Sequence, residues 1–192
     1  MDLQYRFYPT LLNTFSRFLN GANLTEQQVL DAINRVPFPT TQAQQRGISF
    51  EETLIKGTNE EQFDASILQK MRRLLPRPIV ETQVYCQWQI DDVLFYGYVD
   101  LIGKYKAVDI KTTGSYQTGR YLFNHQNLYL HALKQRGIKL MEYLVTDFTD
   151  VYVESYALTH SIERQLEEIR LFKTFVDEHR DQITDQKILA GR

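Results

Sequence analysis

A charged hairpin over residues 97–113 is the feature of this sequence that most restricts its fold. The pattern predicts two antiparallel strands joined by a tight turn, and the second strand is apolar except for one acid and one lysine. Because side chains alternate along a strand, Val108 and Ile110 share one face, whereas Asp109 and Lys111 share the other. Placing charged groups in a core-forming strand costs several kcal/mol each in desolvation, so these two residues need partners.

Asp100, at the end of the preceding strand, can supply one of these partners. A hairpin that brings Asp100, Asp109 and Lys111 together offers carboxylate oxygens to a hard divalent cation, with an amine beside them. The same residues also fit an edge hairpin with a structural Asp109–Lys111 ion pair and a solvated Asp100, because ion pairs on strands are common. These three residues alone leave both interpretations open.

Composition limits the other classes of function. The chain has 192 residues, of which 43% are hydrophobic, enough for one domain with a full core. The formal net charge of -2 gives no general attraction to nucleic acid, so binding would depend on a local basic patch and on metal. Cys86, the one cysteine, excludes an internal disulfide framework and a thiolate metal site. The four histidines lack ligand spacing and are expected at the surface or at helix caps.

The sequence contains no apolar run as long as a membrane span, and its first residues show no signal-peptide pattern. We therefore expect a cytoplasmic protein with no membrane association.

Hydrophobic periodicity and stop signals predict one α/β (α+β) domain with a central mixed sheet flanked by helices. We expect a helical N-terminal region over 1–43, a core over 44–183 and a fraying tail over 184–192. Four helices are predicted before any strand, over 9–20, 25–35, 40–56 and 59–75. Strands follow at 79–90, 93–102 and 105–111, then a helix at 119–135, strands at 139–146 and 151–158, and a last helix from 161 to about 183.

Three motifs in this order resemble the PD-(D/E)XK phosphodiesterase superfamily, in particular the branch of lambda-type phage exonucleases and RecB-type nuclease domains. Residues 97–100, Gly-Tyr-Val-Asp, resemble the glycine-x-x-aspartate of that branch. Residues 108–112, Val-Asp-Ile-Lys-Thr, resemble its (D/E)XK strand. Residues 46–51, Arg-Gly-Ile-Ser-Phe-Glu, are similar to the helix that supplies a further acid to the metal site. The resemblance implies a restriction-endonuclease-like core.

The resemblance also implies a metal site and catalytic residues. Glu51, Asp100, Asp109 and the carbonyl of Ile110 would bind one or two Mg²⁺ or Mn²⁺ ions, and Lys111 would orient or help to deprotonate the attacking water. Glu81, which begins the first predicted strand of the hairpin block, remains an alternative to Glu51.

Other residues are expected to contact the substrate. Gln126 and Tyr129 follow the (D/E)XK strand, where the branch often has a glutamine and a tyrosine, although they are three residues apart rather than the more usual four. Arg46 belongs to the helix motif. Arg120, with Tyr116 and Tyr121, is a candidate to stack on or clamp an unpaired strand, or these aromatics simply pack the core.

The resemblance implies a Mg²⁺- or Mn²⁺-dependent deoxyribonuclease, with exonuclease favoured over endonuclease, acting in phage or bacterial recombination, repair or DNA processing. DNA is the expected partner. The resemblance is also compatible with a protein partner, such as a single-strand annealing or other recombination protein, and with a homo-oligomer. The alternative is a nuclease-fold protein without turnover that binds nucleic acid or serves in assembly. A further alternative is a structural α/β domain whose acids are solvated.

Overall fold

A mixed β-sheet forms the centre of the computed structural model, which describes residues 2–190. In this part of the chain the sheet has six strands: β1 (Tyr5–Phe7), β2 (Glu81–Ile90), β3 (Val93–Ile102), β4 (Lys106–Thr112), β5 (Leu140–Thr146) and β6 (Val151–Ala157). The pairs β1–β3 and β4–β5 are parallel, whereas β2–β3, β3–β4 and β5–β6 are antiparallel. The expected mixed sheet flanked by helices is confirmed.

Helices cover both faces of this sheet. Over the described residues they are α1 (Pro9–Leu19), α2 (Glu26–Ile33), α3 (Gln42–Lys56), α4 (Ala65–Leu74), α5 (Tyr129–Leu133) and α6 (Glu163–Glu178). Local sequence sets several ends. The Thr25 and Thr41 side chains each accept a hydrogen bond from the third residue of the following helix, and a glutamine at that position completes a capping box. Gly57 ends α3 in the left-handed conformation that glycine adopts without strain.

The helices divide between two hydrophobic cores. The larger core packs α1, α2, α5 and α6 on one face of the sheet. The smaller core packs α3 and α4 on the other face, and Val108 and Ile110 of β4 point into it. The predicted alternation along β4 is therefore confirmed: Val108 and Ile110 lie in this core, and Asp109 and Lys111 pair with each other on the opposite face.

Two predicted helices are wrong in extent. The helix predicted over 59–75 begins at Ala65, because the Asp64 carboxylate accepts hydrogen bonds from the backbone N–H groups of Ser66 and Ile67 and caps it there. The helix predicted over 119–135 reduces to α5 with one 3₁₀ turn at each end. The Glu154 carboxylate accepts hydrogen bonds from the N–H groups of residues 120 and 121, which holds that segment outside a helix.

The two ends of the described chain pack together, which the sequence analysis did not predict. A strand, β1, precedes every helix, so the expectation of four helices before any strand is wrong. The Arg6 N–H donates to the Ile188 carbonyl at 2.8 Å, and the Ala190 N–H donates to Gln4 at 2.9 Å. Ile188 and Leu189 are buried, so residues 184–190 are held against β1 rather than frayed. A three-residue strand gives no periodic signal, and its partners are far away in sequence.

No helix within residues 2–190 is both long enough and apolar enough to cross a membrane.

His125 is fully buried, which contradicts the expected surface or capping position of the histidines. Its Nδ1 and its backbone nitrogen both lie 3.0 Å from Asn13 Oδ1. Nε2 lies 3.5 Å from a Glu168 carboxylate oxygen, a contact that favours the charged ring. Burial outweighs this contact and lowers the pKa of His125 from 6.5 to about 4.

We expect the protein to lose stability as the pH falls from 6.5 to about 4, because His125 takes up a proton in the unfolded chain before it does so in the fold. The loss from this group is about 3 kcal/mol when integrated over that window. Urea denaturation at several pH values measures the slope, and His125→Gln should flatten it even if the variant is less stable overall. An equal slope in wild type and variant would contradict the assignment.

Candidate functional site

A gap in the sheet positions the candidate site. β2 pairs with one edge of β3 along its whole length, so β1 and β4 share the other edge. On that edge β1 pairs with residues 93–95 and β4 pairs with residues 101 and 102. Between them, residues 96–100 have no neighbouring strand on this edge among the described residues, although β2 runs along the other edge. Asp100 lies at this gap, and its Oδ2 accepts a hydrogen bond from the Ile110 N–H of β4 at 2.8 Å. The Asp100 side chain thus bridges two diverging strands.

Asp109 is almost completely buried, with 1% of its surface exposed. Its Oδ1 accepts a hydrogen bond from the Gln126 side-chain amide, and the Lys111 amine contacts its Oδ2. Among the described residues no hydrogen bond of regular geometry reaches Oδ2, so the ion pair with Lys111 is the main compensation for its charge. The Lys111 amine therefore faces the acids, as the alternation of β4 indicated.

Glu51 reaches the same cluster from α3, on the opposite side of the cleft. Gly47 lies one helical turn before it, and a Cβ atom at Gly47 would lie 2.6 Å from Thr112 Oγ1. The missing side chain therefore lets α3 approach β4 closely, which carries Glu51 toward Lys111. Gln83 of β2 donates a hydrogen bond to Glu51 Oε1 at 3.3 Å. Sequence reasoning missed Gln83, because nothing in its local pattern distinguishes it from an ordinary strand residue.

Glu81, the alternative to Glu51, takes no part in the cluster. Its side chain is 50% exposed and forms an ion pair with Arg136. The structure therefore brings Glu51, and not Glu81, close to the two aspartates.

Burial raises the pKa of all three carboxyl groups, and repulsion from neighbouring acids adds to this effect for Asp100 and Glu51. Burial, followed by the neighbouring Asp109 and Glu51, raises the pKa of Asp100 from 3.8 to about 8. Burial also raises the pKa of Asp109 and of Glu51. For Lys111, burial acts to lower the pKa, but the ion pair with Asp109 outweighs it and the pKa is raised. One ammonium therefore faces three acids, and the raised pKa of Asp100 means that this carboxyl group keeps its proton up to about pH 8 in the metal-free protein.

A metal ion is a group that such a cluster can accommodate. Carboxylate oxygens are the donors that Mg²⁺ and Mn²⁺ prefer, and repulsion from neighbouring acids adds to burial in raising the pKa of Asp100 and of Glu51. However, within residues 2–190 no three His, Cys, Asp or Glu side chains are already close enough to enclose an ion. The donor set therefore fits in type, and binding would require Glu51 and the two aspartates to move closer together.

Two members of the cluster, Glu51 and Lys111, border a cleft of about 1050 Å³. Glu51, Lys111, Arg46 and Arg120 all line it. The Arg46 guanidinium lies 3.7 Å over the Phe148 ring, and Arg120 Nη1 donates to Thr113 Oγ1 at 2.8 Å. The two arginines expected to contact substrate thus border the same cleft as Glu51 and Lys111, whereas Asp100 and Asp109 are not among the residues that line it.

The other aromatic candidates have packing positions. Tyr121 is buried and stacks on Tyr143 with ring centroids 4.5 Å apart, and Tyr116 stacks on Tyr152 at 4.1 Å. Tyr129 is 3% exposed, and burial raises the pKa of its hydroxyl. Tyr121 therefore packs in the core, which was one of the two interpretations of these aromatics, and Tyr129 is buried at the site. Tyr116 is only half-buried, so its contact with an unpaired strand stays a prediction.

Gly97 and Tyr129 pack closely at the gap. A Cβ atom at Gly97 would lie 2.4 Å from the Tyr129 hydroxyl oxygen and 2.8 Å from a ring carbon. We expect Gly97→Ala to destabilise the protein by about 1–3 kcal/mol, the usual cost of overpacking a buried contact. Chemical denaturation measures the change. Gly114→Ala is the control, because nothing lies within 4 Å of its added methyl group. Equal stability of the two variants would contradict the close packing.

Comparison with known proteins supports the fold. The sequence matches no protein-family model and no curated protein sequence. The structure is similar to a crystal structure named "Putative exonuclease" from Eubacterium rectale, with a TM-score of 0.57 and 12% identity over 90% of this chain and 81% of that chain. It also aligns with a protein named SSO0001, with a TM-score of 0.49 and 13% identity over 94% of this chain and 79% of that chain. At 12% identity the first match shows a shared fold, and the second is too distant to support an argument.

Proposed function

We propose that this protein is a metal-dependent nuclease of the PD-(D/E)XK type that hydrolyses phosphodiester bonds in DNA, in phage or bacterial recombination, repair or DNA processing. The observation that supports this most strongly is the convergence of Glu51, Asp100, Asp109 and Lys111 from three different elements, with Glu51 and Lys111 lining an open cleft. A purely structural role does not account for three mutually repelling acids around one lysine, because the repulsion costs folding energy.

Each residue has a role in this proposal. Glu51, Asp100, Asp109 and the Ile110 carbonyl would hold Mg²⁺ or Mn²⁺. The bound ion would acidify a water molecule and neutralise charge on the phosphate. Gln126 fixes the orientation of the Asp109 carboxylate through its hydrogen bond. Lys111, kept charged by Asp109, would donate hydrogen bonds to the attacking water and to the phosphate as negative charge develops.

Arg46 and Arg120 would contact backbone phosphates on either side of the cleaved bond. Their position in the cleft gives the local positive charge that the overall net charge of -2 does not provide. An exonuclease is favoured over an endonuclease on the resemblance of the motifs.

Incubation with linear and covalently closed circular DNA, each with Mg²⁺, Mn²⁺ or EDTA, tests the proposal. We expect metal-dependent degradation of linear DNA and little attack on closed circles. Cleavage of both would indicate an endonuclease. No cleavage of single-stranded, duplex or nicked DNA with either metal would favour the alternative of a nuclease-fold protein that binds or assembles without turnover.

A further inference from the structure

A second cavity, of about 350 Å³, opens at the same gap in the sheet. Its walls include Tyr8, Arg35, Tyr96 and Tyr98. Gln126 also lines it, and the Gln126 amide is hydrogen-bonded to Asp109. The Gln126 side chain therefore separates the cavity from the candidate catalytic site and contacts both.

Two tyrosines of β3, the half-buried Tyr96 and the exposed Tyr98, line this cavity, and Tyr85 of β2 contacts Tyr98 beside it. We call Tyr85, Tyr96 and Tyr98 the tyrosine face. Tyr96 and Tyr98 lie on the side of β3 opposite to the buried Phe95 and Val99, as strand alternation requires. Tyr98 is 57% exposed, and Tyr85 of β2, its direct cross-strand partner, is 46% exposed. Their rings meet edge to face with centroids 5.4 Å apart. Aromatic rings grouped in solvent beside a cleft are typical of a binding surface.

Two arginines give the tyrosine face a positive border. Arg6 of β1 is in register with Leu94, which lies on the same side of β3 as Tyr96. Arg35 donates from Nη2 to the Tyr96 hydroxyl at 3.3 Å and lies 5.3 Å over the Tyr8 ring. Asp185 contacts Arg35 Nε at 2.6 Å, so part of the Arg35 charge is already compensated. Ring stacking, more than phosphate pairing, would then supply the binding energy at this face.

We propose that the tyrosine face binds an unpaired stretch of the DNA strand, with a base stacked on Tyr98 and the adjoining backbone leading past Gln126 to the candidate catalytic acids. This inference rests on the proposed nuclease function and names the substrate class as DNA with an unpaired segment. Every base offers a π-face to an aromatic ring only when it is not paired and stacked in a duplex. A cavity of 350 Å³ lies at the lower end of the usual range of ligand sites, about 300–1,000 Å³, which suits a nucleotide.

Binding measurements in EDTA test this inference separately from cleavage, because no turnover is needed. We expect a fluorescent oligothymidine to bind the wild-type protein in an anisotropy titration at low salt. Tyr98→Ala should weaken that binding by about 5- to 100-fold, the usual effect of removing one stacked ring. Tyr98→Phe, which keeps the ring, should stay within about 2-fold of wild type, and Tyr85→Ala should weaken binding as well.

A control variant and a control substrate make the test specific. Tyr105, in the turn between β3 and β4, is 55% exposed like Tyr98 but does not line the cavity, so Tyr105→Ala should bind as wild type does. A blunt duplex of equal length should be bound equally by all of these variants. Denaturation midpoints establish that each variant is folded.

Several outcomes would overturn the inference. They are a folded wild-type protein that does not bind the oligothymidine, an unchanged affinity in Tyr98→Ala, or an equal loss for single-stranded and duplex DNA. A further outcome that would overturn the inference comes from light scattering, which measures self-association. If the protein self-associates and Tyr98→Ala removes that association without weakening DNA binding, the tyrosine face is a contact between copies of the chain. A lack of DNA cleavage, by contrast, would contradict the proposed nuclease function without deciding whether the face binds DNA.

Discussion

Lys111→Ala is expected to lower the rate of DNA cleavage by about 10²- to 10⁴-fold, the range typical of acid–base and charge-stabilising groups. The Lys111 amine contacts Asp109, and the proposed mechanism uses it on the attacking water and the developing phosphate charge. An interaction made only in the transition state lowers turnover while substrate binding changes little. Single-turnover cleavage at saturating protein, with an independent Kd for DNA, separates the two effects.

Lys106→Ala is the matched control for this prediction. Lys106 lies on the same strand, forms an ion pair with Glu142 and is 25% exposed, compared with 28% for Lys111. Loss of Lys106 should therefore cost similar stability while cleavage continues near the wild-type rate. If Lys111→Ala cleaves as fast as wild type, or if both lysine variants lose activity in proportion to their stability, the catalytic role of Lys111 is wrong. Lys111→Arg adds a variant that keeps the charge on buried Asp109.

Asp100→Asn is expected to raise the thermal stability of the metal-free protein and to reduce the stabilisation that added metal provides. In the metal-free protein, burial and the neighbouring acids raise the pKa of Asp100 from 3.8 to about 8. A carboxyl group with a raised folded pKa holds its proton more tightly in the fold than in the unfolded chain. Its contribution to stability is therefore complete below pH 3.8 and is lost as the pH rises through 8. Asparagine can still accept the hydrogen bond from Ile110 and has no charge to bury.

At pH 8.5 without metal, Asp100→Asn should therefore melt above wild type, by about 2–4 °C for each kcal/mol of relieved repulsion. Addition of millimolar Mn²⁺ should stabilise wild type, by about 2.7 kcal/mol when the ion is at 100 times its Kd, and should do much less for the variant. Thermal melts with EDTA or Mn²⁺ measure both effects.

Glu52→Gln controls for the loss of a surface acid near the site. Glu52 follows Glu51 directly, but it is 57% exposed and pairs with Lys56 on the outside of α3. The Glu52→Gln variant should have the melting temperature of wild type in metal-free buffer, apart from the small cost of losing a surface ion pair. It should also retain the full stabilisation by Mn²⁺. An equal Mn²⁺ response in wild type and Asp100→Asn would contradict a metal site at Asp100.

Local patterns determined much of the fold. The alternation along β4 placed Val108 and Ile110 in a core and paired Asp109 with Lys111 on the opposite face, because side-chain direction in a strand depends only on sequence parity. The capping boxes at Thr25 and Thr41 fixed the starts of two helices in the same local way. These features could be predicted because every interaction involved lies within a few residues.

Tertiary structure decided what local patterns left open or misjudged. Glu51 rather than Glu81 joins the aspartates, because Gly47 lets α3 approach β4 while Arg136 holds Glu81 away. His125 is buried by Asn13 and Glu168, residues from helices that are distant in the sequence.

The sequence by itself determined the chemical types in the candidate site, two acids and a lysine on an apolar hairpin and a third acid on a helix, and the mixed α/β class that carries them. Only the tertiary structure decided that β1 and β4 share one edge of β3 and leave the gap where Asp100 and the tyrosine face meet. The physical reason is that alternation and capping are set by neighbours along the chain. Which strand pairs with an edge of β3 depends instead on contacts between segments far apart in the chain, such as β1 and β3, which are about 90 residues apart. No local pattern encodes such contacts.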